Sequence, residues 1–161
     1  MERSVLPRPS LVLSALMAAS SALAGCGGSA PGGAAGELGG VSVQNVIIWP
    51  TADMGTLGMR MVARDGDALV GVDVGRGGSA TMHTVGPGGS GMAPVTEVAL
   101  PAGREVVMTV GHPHVMILGL ERDLHPGDSL AVILRFRRAG ELSLMVPVAR
   151  YTEAVRLIGP P

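Results

Sequence analysis

From residue 41 onward the chain repeats one pattern, a short apolar segment followed by a turn. Turn sequences such as Asp65-Gly66-Asp67, Pro101-Ala102-Gly103 and Pro126-Gly127-Asp128 separate the segments. Runs of four to eight residues rich in Val, Ile and Leu are typical of β-strands. The segments are Val41–Trp49, Leu57–Ala63, Ala68–Val74, Val95–Leu100, Glu105–Val110, His114–Leu118, Ser129–Phe136 and Glu141–Val148.

Several of these segments alternate with period two. In Glu141–Val148 the side chains of Leu142, Leu144 and Val146 fall on one face of a strand, and polar or flexible residues fall on the other. No stretch keeps an amphipathic helical pattern for three turns. About eight strands at this spacing predict an all-β fold, a single antiparallel Greek-key β-sandwich over residues 41–150. Residues 151–161 are predicted to be a C-terminal tail.

The first 25 residues have the features of a secretory signal. Arg3 and Arg8 precede an apolar run from Leu11 to Leu23, which is too short to span a bilayer. The run ends in Leu23-Ala24-Gly25-Cys26, which resembles a bacterial lipobox. We therefore expect a lipoprotein signal peptide over residues 1–25 and a lipid-modified Cys26 that anchors an extracytoplasmic protein to the membrane. The alternatives are an ordinary signal cut elsewhere, or a cysteine buried in the core.

Residues 26–40 differ in composition from the strand-rich part of the chain. Half of the residues from Gly27 to Gly40 are glycine, a composition typical of flexible linkers. We predict a tether that joins the lipidated cysteine to the folded domain.

Composition excludes several function classes. The formal net charge is −1 and lysine is absent, so no basic surface for nucleic acid is expected. A single cysteine cannot form an intramolecular disulfide. No pair of carboxylates suited to acid–base catalysis and no Gly-x-Ser-x-Gly motif is present, and we predict that the protein is not an enzyme.

Two places concentrate imidazole and thioether side chains. Met82-His83 precedes a glycine-rich turn and Met92, and His112-Pro113-His114-Val115-Met116 follows later in the chain. Residues two apart in a strand share a face, so His114 and Met116 can lie side by side. His83 and Met92 flank a loop that can fold against this pair and complete a set of two nitrogens and two sulfurs.

Such a set favours a soft metal. Thioethers bind Cu(I) well and Ca(II) or Mg(II) poorly, and methionine cannot form a disulfide in an oxidising compartment. A blue-copper centre needs a cysteine thiolate, and Cys26 is assigned to the lipid. We interpret the other methionines as packing residues, namely Met54, Met59, Met61, Met108 and Met145. His125, beside a turn, is expected to be exposed.

At these positions the sequence resembles the periplasmic PCu(A)C-type copper chaperones. The family pattern is a His, then a Met, then 21 residues, then His-x-Met. It corresponds here to His83, Met92 and His114-Val115-Met116, with 21 residues between Met92 and His114. The surrounding family sequences resemble Leu100-Pro101-Ala102-Gly103 and the stretch Gly111–Leu120. The match extends over residues 41–148.

The chain also departs from the family pattern. Eight residues separate His83 from Met92 where the family has about ten, and Val85 and Pro113 replace a common methionine and tyrosine. Met82 and His112 therefore remain alternatives to His83.

The resemblance implies a cupredoxin-like β-sandwich that binds Cu(I) through His83, Met92, His114 and Met116. It also implies delivery of copper to an acceptor protein, such as a cytochrome oxidase subunit or its assembly factor. Two other functions stay open from the sequence. One is a copper-sequestering tolerance lipoprotein, and the other is a metal-free β-sandwich of the cell envelope.

Overall fold

The computed structural model describes residues 32–86, 91–120 and 123–161. Within them the chain forms eleven β-strands and one α-helix. The strands are β1 (Ala34–Leu38), β2 (Val41–Thr51), β3 (Met54–Ala63), β4 (Asp67–Val74), β5 (Ser79–Val85), β6 (Met92–Pro94), β7 (Val98–Leu100), β8 (Glu105–Met108), β9 (His114–Leu118), β10 (Ser129–Phe136) and β11 (Gly140–Pro147), and the helix is α1 (Tyr151–Ile158). None of the helical structure described is long and apolar enough to cross a membrane.

The strands form two sheets. The larger sheet runs β1-β2-β3-β9-β5-β6, with β8 also paired to β3, and the smaller runs β11-β10-β4-β7. The strand pairs within both sheets are antiparallel. The apolar residues of their inner faces form one buried cluster, in which alternate positions of each strand point inward. The prediction of an all-β antiparallel sandwich is confirmed.

The second half of strand β2 is buried on both of its faces, and a bulge decides which of its residues face the core. Its pairing with β3 shifts register between Gln44 and Ile47, and Asn45 adopts a positive φ of 54°. A bulge inserts one residue and so changes which side chains face the core. Before the bulge Val43 points into the sandwich; after it, Ile48 does, and Trp49 points to the outer face.

The prediction of a flexible tether is wrong for its last part. Ala34–Leu38 forms β1, which pairs with β2 at the edge of the larger sheet. A Cβ on Gly36 would lie 3.1 Å from side-chain carbons of both Leu142 and Leu144, so the absence of a side chain lets β1 approach β11 closely. Cys26 lies outside the described residues.

The prediction of a C-terminal tail is also wrong, because residues 151–158 form α1. Ala154 and Ile158 are buried against Ile47 and Trp49 in a second apolar cluster on the outer face of the larger sheet. Residues four apart lie on the same side of a helix, which gives this short helix an apolar stripe. The helix rests on Gly58, where a Cβ would lie 2.5 Å from Cδ1 of Ile158.

Polar contacts hold both ends of α1. The backbone N–H of Arg150 donates to the Glu153 carboxylate at 3.1 Å. The carbonyl of Leu157 accepts from Nδ2 of Asn45 at 2.9 Å, and Arg60 donates to the carbonyl of Ile158. Carbonyl groups at the end of a helix lack partners within it, so these contacts stabilise the helix where it meets the sheet.

At the start of β4, the Asp67 carboxylate joins this strand to the turn between β10 and β11. It accepts hydrogen bonds from the backbone N–H groups of Ala68, Arg138 and Ala139 at 2.8, 3.0 and 2.9 Å. Desolvation raises the pKa of Asp67, but these hydrogen bonds and the charge of Arg138 outweigh it and lower the pKa below its ordinary value.

Candidate metal centre

Strands β5 and β9 bring the two histidines together. The two strands pair antiparallel with His83 directly opposite His114. Side chains of directly opposed residues project from the same face of a sheet. The two imidazole rings lie with centroids 6.1 Å apart and planes inclined by 23°.

Each histidine is oriented by the carbonyl two residues before it. Nδ1 of His83 lies 3.2 Å from the Thr81 carbonyl oxygen, and Nδ1 of His114 lies 2.8 Å from that of His112. A carbonyl only accepts hydrogen bonds, so Nδ1 of a neutral ring carries the proton and Nε2 keeps its lone pair. Histidines that bind metals are commonly held in this way.

The two methionines lie on the same face as the histidines. Met116 follows His114 by two residues in β9, and Met92 in β6 pairs with Val85, two residues after His83. Met92 is therefore a diagonal neighbour of His83, at a Cα separation of about 7–8 Å that a long side chain can cross. His114 is buried, whereas Met92 is 57% exposed.

An apolar cavity of about 470 Å³ opens above this part of the sheet. Five strands, the loop before β9 and the first residue of α1 form its walls. Its lining includes Trp49, Met54, Met92, His114, Met116 and Tyr151. None of the described residues that line it carries a formal charge, so the cavity offers a cation only neutral donors, namely an imidazole, thioethers and the hydroxyls of threonine and tyrosine side chains.

One of the two alternative ligands lies on the other side of the sheet. Met82 points to the opposite face of β5, where it is 6% exposed within the core of the sandwich. His112 contributes its backbone carbonyl to the orientation of His114. His125 is exposed in an adjoining cavity beside Leu124. Across residues 32–86, 91–120 and 123–161, no group of three or more His, Cys, Asp or Glu side chains could hold a metal ion.

Two aromatic residues of the cavity were missed by sequence reasoning. Trp49 and Tyr151 meet edge to face with ring centroids 6.4 Å apart, and α1 carries Tyr151 to the cavity. The bulge at Asn45 turns Trp49 outward, and no local pattern signals that reversal.

Strand β5 was absent from the predicted strands. An alternation of Ala80 and Met82 with polar residues could have revealed it.

The packing prediction for the methionines is confirmed for three of them. Met59, Met61 and Met108 are fully buried in the core. It is wrong for Met145, which is 64% exposed. Met54 is half-buried and lines the cavity.

A model of the protein family described as "Putative lipoprotein LpqE-like" matches residues 41–148. The chain belongs to the LpqE-like family. The match covers the sandwich from the start of β2 to just beyond β11, and so includes the two histidines. No curated protein matches this LpqE-like chain.

Solved PCuAC domains share the fold of this LpqE-like protein. The apo PCuAC domain from PmoF1 is 24% identical with a TM-score of 0.63, over 73% of this chain and 99% of that domain. The copper-bound PCuAC domain from PmoF2 is 22% identical with a TM-score of 0.62, over 73% and 98%. The Cu(I) form of DR1885 from Deinococcus radiodurans is 18% identical with a TM-score of 0.52, over 73% and 81%. The expectation of a PCuAC-type fold is confirmed.

Proposed function

We propose that this LpqE-like protein is an extracytoplasmic copper chaperone. It binds Cu(I) through His83, Met92, His114 and Met116 and passes the ion to an acceptor such as the copper centre of cytochrome oxidase. The observation that carries the proposal is the opposed pair His83 and His114, each with Nδ1 tied to a carbonyl. The copper-bound PCuAC domain from PmoF2 and the Cu(I) form of DR1885 support it by sharing the fold.

The chemistry of the cavity favours Cu(I) over harder cations. Ca(II) and Mg(II) prefer carboxylate and carbonyl oxygens, and no charged side chain is found among the described residues of the lining. Thioethers are soft, neutral donors that suit Cu(I). A monovalent cation held by neutral ligands also leaves less charge in an apolar cavity than a divalent one.

The exposure of the ligands supports delivery to a partner. His114 is buried and held by a hydrogen bond, whereas Met92 stands at the rim and is more than half exposed. A donor group of a partner can reach the ion from the Met92 side and replace that thioether first. Transfer by ligand exchange requires such an accessible and replaceable donor.

Membrane anchoring through Cys26 remains part of the proposal. The family is described as one of lipoproteins, and the lipobox-like sequence before Cys26 supplies the modification site. An anchor would confine the copper-binding domain to the membrane surface, where a membrane-bound oxidase can receive the ion.

The proposed ligands are tested by competition for Cu(I) against a chelator. The double variant His114→Ala/Met116→Ala should lose more than about 100-fold in affinity, since changes outside the coordination sphere alone cost about 10- to 100-fold. The matched control His125→Ala/Met145→Ala removes an exposed histidine and an exposed methionine outside the cavity and should bind as the wild type does. Equal affinity of the two double variants would refute the assignment.

Delivery is tested in cells by deleting the gene. Loss of oxidase activity at low copper, restored by the wild-type gene and not by the His114→Ala/Met116→Ala variant, is the expected result. Normal oxidase activity combined with sensitivity to high copper would instead indicate sequestration.

A further inference from the structure

We infer that Met54 is a further copper-contacting residue, which together with Met116 forms a thioether pair beside the main centre through which Cu(I) enters. The inference rests on the proposed function and adds a transfer position to it. Three observations carry it: the register of β3 on β9, the position of Met54 between two cavities, and its absence from the apolar core.

The register places Met54 next to Met116. Thr56 of β3 lies directly opposite Met116 of β9, and Met54 precedes Thr56 by two residues on the same face. Met54 and Met116 are therefore diagonal neighbours, with Cα atoms about 7–8 Å apart. Methionine has three rotatable side-chain bonds, so the two sulfur atoms can approach a common ion.

Met54 lies too far from the histidines to join their coordination sphere. If the register of β3 on β9 is continued, Gly58 lies level with His114. Met54 is four residues from Gly58, so it lies roughly 13 Å from the level of His114 along the strand. Met116 lies between Met54 and His114, so its sulfur can contact an ion near either of them. A pair of thioethers without imidazole is a weaker set than the main centre, which suits transient binding.

A second cavity gives this pair a route to solvent. Met54 lines both the copper cavity and an adjoining cavity of about 220 Å³. The wall of the second cavity carries the exposed residues Asp53, Asp123 and His125. Carboxylates at the mouth of a cleft raise the local concentration of cations, so a copper ion arriving from this side meets Met54 first.

Core packing does not account for Met54. Met59 and Met61, on the inward face of the same strand, are fully buried in the core. Met54 is half-buried and belongs to neither apolar cluster of the described residues. It lines the two cavities instead.

The test uses the full chain, purified in detergent, with ¹³C-labelled methionine methyl groups followed by NMR during anaerobic addition of Cu(I). We expect the methyl signals of Met54, Met92 and Met116 to shift, and that of the exposed Met145 to stay in place. In parallel, Met54→Leu should slow Cu(I) transfer from a chelator complex to the protein by about fivefold or more, because leucine keeps the volume and offers no sulfur to Cu(I). The equilibrium affinity should stay within about twofold, since the main centre is intact.

Met59→Leu is the matched control, a substitution in the same strand on the core face, and should leave the transfer rate unchanged. An unmoved Met54 methyl together with equal rates for the two leucine variants would overturn the inference while leaving the proposed function in place. Loss of affinity in Met54→Leu as large as in Met116→Leu would also overturn it, because Met54 would then belong to the main centre. If no methionine methyl responds to Cu(I), the proposed function itself fails.

Discussion

Gly58 lies beneath helix α1 at the point where the helix, Trp49 and strand β8 meet. A methyl group added there would lie 2.5 Å from Cδ1 of Ile158, 2.7 Å from the carbonyl oxygen of Met108 and 3.0 Å from Cη2 of Trp49. The Ile158 side chain can rotate away, but the Met108 oxygen belongs to the backbone of a paired strand. Gly58→Ala therefore tests whether close packing on this glycine holds α1 against the sheet.

The expected cost follows from these contacts. Inserting a methyl group into a packed site costs about 1–3 kcal/mol, and the upper part of that range applies because one neighbour is backbone. A domain of this size loses roughly 3–5 °C in Tm per kcal/mol, so Gly58→Ala should lower Tm by roughly 10 °C. The emission maximum of Trp49 should shift to longer wavelength, because displacement of α1 admits water to a ring that is only 1% exposed.

The assay is urea unfolding with thermal unfolding as a check, and Gly75→Ala is the matched control. A Cβ on Gly75 has its nearest neighbour at 3.6 Å, an ordinary contact, so this variant should lose little stability. Adding Ile158→Val to Gly58→Ala removes the Cδ1 atom, and the double variant should be more stable by about 1 kcal/mol than the sum of the single effects. The contact with the Met108 oxygen prevents complete rescue.

The reasoning would be refuted by a loss below about 0.5 kcal/mol, the size of an ordinary surface substitution, with unchanged Trp49 emission. Strict additivity of Gly58→Ala and Ile158→Val would contradict the claim that the methyl group meets the Ile158 side chain.

Three further predictions concern acid stability, oxidation and fluorescence. Hydrogen bonds lower the folded pKa of Asp67, so its contribution to folding stability is present above the unfolded pKa of about 3.9 and is lost as pH falls through the lower folded value. Asp67→Asn should lose on the order of 1–3 kcal/mol of unfolding free energy at pH 7, and the difference from wild type should close below pH ~4. A difference that stays constant in pH-dependent unfolding would contradict this. Limited peroxide treatment of the metal-free protein should oxidise both Met92 and Met145, which are 57% and 64% exposed. After the peroxide is removed, Cu(I) affinity should fall with the Met92 sulfoxide content measured by peptide mass spectrometry and should not depend on that of Met145; an affinity that does not follow Met92 oxidation would exclude Met92 as a ligand. Trp49 is the single tryptophan of the chain and lines the cavity, so its fluorescence should fall in proportion to Cu(I) until one equivalent is bound; an unchanged signal on stoichiometric binding would place the ion elsewhere.

Part of the candidate site could be predicted because it depends on local geometry. His114 and Met116 are two residues apart in a strand, and strand periodicity alone puts them on one face. The position of His83 opposite His114 depends on how β5 pairs with β9, and register between strands distant in sequence is a tertiary property. The spacing of the motif indicated that the residues belong together, but the register placed the two rings face to face.

The elements that sequence reasoning missed have little local signal. Strand β1 lies in a glycine-rich segment, and it forms because β2 offers a free edge and Gly36 allows β11 to approach. Helix α1 has eight residues, too few to be stable alone. Its stability comes from Trp49 and Ile47 beneath it and from Asn45 and Arg60 at its C-terminal end.

The sequence by itself determined the all-β fold, the main strands and the chemical nature of the site, because alternation, turn residues and donor types are properties of short segments. Tertiary structure decided the rest. The register of β5 on β9 opposes the two histidines, and the bulge at Asn45 turns Trp49 toward the cavity. The close packing on Gly58 allows α1 to bring Tyr151 to the same place. These arrangements depend on backbone pairing and steric fit between segments far apart in the chain, which no single segment encodes.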